Sequence, residues 1–183
     1  MKKIIAAASS LAIASIAFAE TPDEIVVTAT NQAVSTMSDG ALSAAEAEQI
    51  LAHVDVDAIA RFALGQYVRD ITDEEFGSYR TAFAGYLVSQ MQKHLERLQD
   101  GDVVIDGTLE RGSDQAIVET EVTTRDGERM DVNWRLRDED GTWRIIDIEA
   151  MDLWLAIEQR AQFTSELDKS GGDFAALTEK LKG

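Results

Sequence analysis

The chain has 183 residues, no cysteine, and 34 acidic against 17 basic side chains, for a formal net charge of -17. Such a surface disfavours nucleic acid and is not drawn to anionic membranes. With no disulfide to form, stability has to come from packing, and the length suits a single domain that buries its own core.

The first nineteen residues read as an export signal rather than as part of the fold. Lys2 and Lys3 form a basic start, residues 4 to 18 an apolar, alanine-rich run, and Ala17-Phe18-Ala19 a small-residue cleavage site. Cleavage near Ala19 leaves a mature domain over 20–183, with a helical part over about 20–100, a sheet over about 103–149 and C-terminal helices over about 152–182.

Thr21-Pro22-Asp23-Glu24 opens a helix, with Thr21 as cap, Pro22 in the first turn and two acids at the positive end of the dipole. Ile25, Val26, Ala29, Ala33 and Met37 keep one face apolar until Ser38-Asp39-Gly40. Ser43-Ala44-Ala45-Glu46 is a capping box for a second short helix ending near His53, and Asp57 is the expected cap of a third over 58–68. Thr72-Asp73-Glu74-Glu75 starts the longest helix, to about Leu98. Phe76, Tyr79, Phe83, Leu87, Met91, Leu95 and Leu98 recur on it every three or four residues as one apolar stripe.

From Val103 the period changes from helix to strand. Runs over 103–109, 116–124, 129–138 and 142–149 are separated by turns carrying Gly112, Gly127 and Gly141, which reads as an antiparallel meander. Ala116, Val118, Thr120 and Val122 alternate inward, as do Met130, Val132, Trp134 and Leu136, while Glu119, Glu121, Asn133 and Arg135 are expected to face water. Helix returns from Asp152 to Asp168, Gly171-Gly172 breaks it, and Asp173 caps a last short helix. The fold class is α+β: helices packed on one face of a curved antiparallel sheet, with an additional N-terminal helical part.

Catalytic motifs are scarce. No phosphate-binding glycine loop and no cofactor motif occur, and His53 and His94 lack further ligands at metal spacing. Asp147, the one acid in Ile145-Ile146-Asp147-Ile148, is open to two readings: a general acid or base of a small cone-fold enzyme, or a structural carboxylate accepting hydrogen bonds from a backbone turn or from Arg144 or Arg160. The many large apolar residues fit either a solid core, as in a periplasmic interaction module, or a hollow one with room for an alkyl ligand.

Several strings resemble the periplasmic MlaC family, also called the toluene-tolerance family. Asp57 through Tyr67, with Leu64-Gly65, is similar to its capped helix. Phe76 to Leu98 resembles its long helix, Trp143 to Ile148 its tryptophan-led strand, and Gln159-Arg160-Ala161-Gln162-Phe163 its C-terminal helix. One departure stands out: where the family has Glu-Gly-Val-Ser after the last strand, this chain has Met151-Asp152-Leu153-Trp154.

The resemblance implies a nuclear-transport-factor-like or cystatin-like cone whose interior holds glycerophospholipid tails. It implies a soluble, non-enzymatic periplasmic carrier without cofactor or metal, expected to be a monomer, working between an inner-membrane ABC transporter complex and an outer-membrane lipoprotein complex. On that reading the tails are lined by Val118, Val122, Val132, Trp134, Leu136, Ile146 and Ile148 from the sheet, by Leu64, Phe83, Leu87 and Met91 from the helices, and by Trp154 near the mouth.

Overall fold

The computed structural model describes residues 20–37, 43–95 and 102–183. The expected export segment, Ser38-Asp39-Gly40 and Leu98 lie outside them, as do the side chains of Met37, His94 and Leu95. Among the described residues six α-helices and a five-stranded antiparallel sheet follow in the order α1 (Pro22–Met37), α2 (Ala44–Leu51), α3 (Val56–Leu64), α4 (Asp73–Leu95), β1 (Asp102–Glu110), β2 (Gln115–Thr123), β3 (Arg129–Glu139), β4 (Thr142–Ala150), β5 (Leu153–Trp154), α5 (Leu155–Ser170) and α6 (Phe174–Leu181). The strands lie in sequence order, so the sheet is the expected meander. Among the described residues no helix is long and apolar enough to cross a membrane.

Local chemistry accounts for most boundaries. At α2 the Ser43 side chain accepts from the Glu46 N–H and the Glu46 carboxylate accepts from the Ser43 N–H at 2.7 Å, the reciprocal box read in the sequence. Thr72 and Glu75 repeat it at α4. The cap of α3 is Asp55 rather than Asp57, its carboxylate accepting from the Ala58 N–H at 2.8 Å. The chain leaves an extended bridge at Val54, so the helix begins two residues earlier than expected and Asp57 lies in its first turn, paired with Arg80 of α4. It also ends earlier, at Leu64, because Gly65 takes φ +58° and only a 3-10 turn, Gly65–Arg69, continues.

Asp140-Gly141 joins β3 to β4 with both φ positive, as a two-residue type I′ hairpin demands. A second such hairpin was not expected. Met151 (φ 55°) and Asp152 (φ 60°) turn the chain between β4 and β5, so β5 stands where the sequence reads as the start of a helix.

The sheet has one apolar face, called inner here. Ala116, Val118, Thr120 and Val122 of β2 are buried on it, opposite Leu136, Trp134, Val132 and Met130 of β3. The β3–β4 register slips by one: Leu136 pairs with Ile145 but Arg135 with Asp147, leaving Ile146 as the extra residue of a bulge. Without the slip, residues 145 and 147 would share a face. With it, Ile145 joins Leu136 inside and Asp147 joins Arg135 outside.

Two apolar clusters result. Ile25, Val26 and Ala29 of α1 lie on the inner face against Val118, Leu136 and Ile145. The helical cluster, built on Ala60, Leu64, Tyr79, Phe83, Phe163, Leu167 and Leu177, meets the sheet along β4, and Val54 touches both clusters. There the Ile145 N–H donates to the His53 carbonyl at 2.9 Å and the Asp55 N–H to the Ile145 carbonyl at 2.9 Å.

Candidate functional site

Alternation on β2 and β3 dictates an apolar inner face, and its polar members are satisfied within it. The Thr120 hydroxyl donates to the Val132 carbonyl at 2.8 Å and accepts from the Trp134 indole N–H at 3.1 Å. Both residues lie mid-strand, so Thr120 is held among Val118, Val122 and Val132 with no group left seeking water. The surface thus made is dry in the chemical sense: an apolar group laid against it breaks no hydrogen bond.

The candidate tail-lining residues do not form one continuous wall. Val118 and Leu136 are buried under α1, with Trp134 and Ile148 packed at the margin of that cluster. Val122 and Val132 continue the same face beyond it and are 2% and 8% exposed. Leu64 and Phe83 are buried in the helical cluster, Leu87 is half-buried at its edge, and Met91 is half-buried one turn further along α4. Ile146 occupies the β4 bulge.

Trp154 lies on the outer face, because it pairs with Glu149, whose carboxylate accepts from Asn133 across the strand. The Arg135 guanidinium stacks on the Trp154 ring at 4.0 Å, so this part of the outer face, expected to meet water, is covered.

Asp147 also faces outward. Its Oδ1 accepts from the Ala156 N–H and the Ile148 N–H, both at 2.9 Å, so a strand carboxylate satisfies the open first turn of α5. Burial pushes its carboxyl up from the ordinary 3.8, against the two N–H groups and the Arg135 charge, which lower it. This geometry matches the structural reading of Asp147: the carboxylate ties α5 to β4. His53 is likewise engaged, its Nε2 3.1 Å from Gln32 Oε1 of α1.

Two grooves were not foreseen. One of about 940 Å³ runs between α4 and α6, bordered by Gly77, Gly85 and Tyr86 and by Lys93, Lys180 and Lys182. A smaller one of about 290 Å³ lies on the sheet at Arg111, Ile117 and Arg135. Neither contains any of the candidate tail-lining residues. The signal for the first is faint in sequence, because Gly77 and Gly85 are spaced on α4 like any small residues between larger ones.

These features define a class of small α+β proteins in which helices cover a curved antiparallel sheet with a dry inner face. The same architecture is seen in the structure of a phospholipid-binding protein from Ralstonia solanacearum in complex with a phospholipid, with a TM-score of 0.74 at 20% identity over 86% of this chain and 92% of that one. No curated protein sequence matches the chain. The family model for MlaC protein matches residues 21–183, and the chain belongs to the MlaC family.

Proposed function

We propose that this chain is a periplasmic carrier that holds the acyl tails of a glycerophospholipid against the inner face of its sheet and shuttles the lipid between an inner-membrane ABC transporter complex and an outer-membrane lipoprotein complex. Residues 1–19 serve as its export signal. The observation that carries the reading is the Thr120–Trp134 pair, which removes the last polar demand from a face that otherwise consists of aliphatic side chains. Val122, Val132 and the margin residues Trp134 and Ile148 form one wall, and Leu87 and Met91 on the second half of α4 the other. Membership of the MlaC family and the phospholipid-bound relative of the same fold support it.

Moving tails from water into such a site is worth about 0.8 kcal/mol per methylene, on the order of 20 kcal/mol for a two-tailed lipid. A bilayer offers nearly the same. The carrier therefore works close to balance against a membrane, and its partners impose direction. Contacts are with tails rather than head groups, so discrimination among head groups is weak.

Native mass spectrometry of protein purified without detergent, followed by lipid extraction, tests the reading. A stoichiometric phospholipid is expected in the wild type and its loss in Leu87→Trp and Val132→Trp. A wild type that is empty, and stays empty when offered phospholipid vesicles, removes the carrier function.

A further inference from the structure

The hairpin between β4 and β5 is built at a local disadvantage. Its two turn residues need positive φ, which glycine, asparagine and aspartate adopt more readily than other residues; Asp152 suits its position, but the first is Met151. The methionine is also 78% exposed, the most exposed of the large apolar side chains among the described residues. Leu153, Leu155 and Ile157 follow it, each at least 39% exposed, so the chain presents four large apolar residues to solvent within seven positions. A strained backbone that holds apolar groups in water contributes nothing to folding.

The hairpin is secured from one side only. On the outer face Arg135 stacks on Trp154 and Asp147 accepts from Ala156. On the inner face Val132 pairs with Ala150, and Ala150 with Leu153. Directly opposed residues in antiparallel strands share a face, so this row runs from the buried interior at Val132 outward to Leu153, which is 40% exposed. The flanking charges are acidic, at Asp152 and Glu158, and the nearby Arg135 is committed to Trp154. Among the described residues an anionic head group finds no uncommitted cation on the hairpin, whereas an alkyl chain finds an uninterrupted apolar path.

We propose that the β4–β5 hairpin is an apolar lip over which the acyl tail passes between a membrane and the inner face of the sheet. This rests on the carrier reading and adds the entry point. The lip acts on the rate of exchange, since it touches the tail in passage, and leaves the final occupancy to the interior wall.

Uptake of pyrene-labelled phosphatidylcholine from phosphatidylcholine vesicles by the mature chain, followed with time, tests the lip. Met151→Gly relaxes the turn while deleting the side chain, and Leu153→Asp interrupts the row. Both are expected to slow uptake about tenfold, in keeping with the loss of one apolar contact at the crossing point, with unchanged final occupancy. Met151→Gly should do so without lowering the thermal midpoint. Uptake at the wild-type rate in both variants overturns the lip but leaves the carrier reading standing. A wild type that takes up no label and yields no extractable lipid overturns both.

Discussion

Asp147 shows how one carboxylate can read as catalytic in sequence and act as a structural tie. Its Oδ1 serves two backbone N–H groups. Asp147→Ala leaves both without a partner in a buried setting and should cost about 1–3 kcal/mol in a urea titration. Asp147→Asn keeps an acceptor oxygen there and should cost far less. Because burial raises the carboxyl pKa in the folded chain, the ionised form is the disfavoured one. The contribution of Asp147 to stability is complete below its unfolded value, close to 3.8, and is lost as pH rises through the folded value. Wild type should therefore lose ground to Asp147→Asn as pH rises from about 3.8; a constant difference between the two would show that burial does not govern this group. Gly65 gives a steric counterpart. At φ +58° its added Cβ would stand 2.7 Å from Thr164 Cγ2, so Gly65→Ala should destabilise by roughly 1–3 kcal/mol, read as a lowered thermal midpoint.

Among the elements, the junction of α3 with the sheet carries the most weight. Asp55 caps the helix and pairs with Arg137 of β3 at 2.7 Å, linking the two apolar bodies next to Val54. Asp55→Ala removes a cap and leaves the Arg137 guanidinium with Glu139 as its remaining partner, and roughly 1–3 kcal/mol should disappear from the unfolding free energy measured by denaturant. This junction was only half legible in the sequence. Ser43 and Thr72 announce α2 and α4 because a capping box is a local device, complete within four residues. The glycine turns announce β1 to β4 for the same reason. Asp55 and Asp57 compete for one cap, and the outcome depends on a bridge to Ile145, some ninety residues away. Strand β5 was illegible because Met151-Asp152 carries no turn signal, and its backbone is imposed by pairing with β4. The division of the candidate tail-lining residues was hidden as well: a stripe shows which side of an element is apolar but not which neighbour covers it, and α1 takes the part of the inner face around Val118 and Leu136.

For the molecule as a whole, charge is the term that solution conditions can move. Acids outnumber bases two to one, 34 to 17, and such an excess repels itself more strongly in the compact state than in the expanded one. Raising salt shortens the screening length from about 30 Å at 0.01 M to about 8 Å at 0.15 M. The thermal midpoint should rise across that range, and a fall would show that attractive pairs such as Asp55–Arg137 outweigh the general repulsion. Division into two clusters also means that, among the described residues, Val54 is the side chain that packs on both the inner face and the helical body.

The bulge at Ile146 sets the phase of β4. A strand alternates with period two, so a single supernumerary residue inverts everything on one side of it. In this chain that inversion places the carboxylate of Asp147 behind the sheet, and the aliphatic Ile145 in front. Excising Ile146 would make Ile145 and Asp147 neighbours that alternate without a bulge, so both would keep their faces; straightening the strand with Ile146 in place would bring them to one face, with either Ile145 ejected from beneath α1 or Asp147 swung to the apolar side. The bulge at one residue thus decides whether β4 turns an aliphatic side chain or a negative charge toward the inner face.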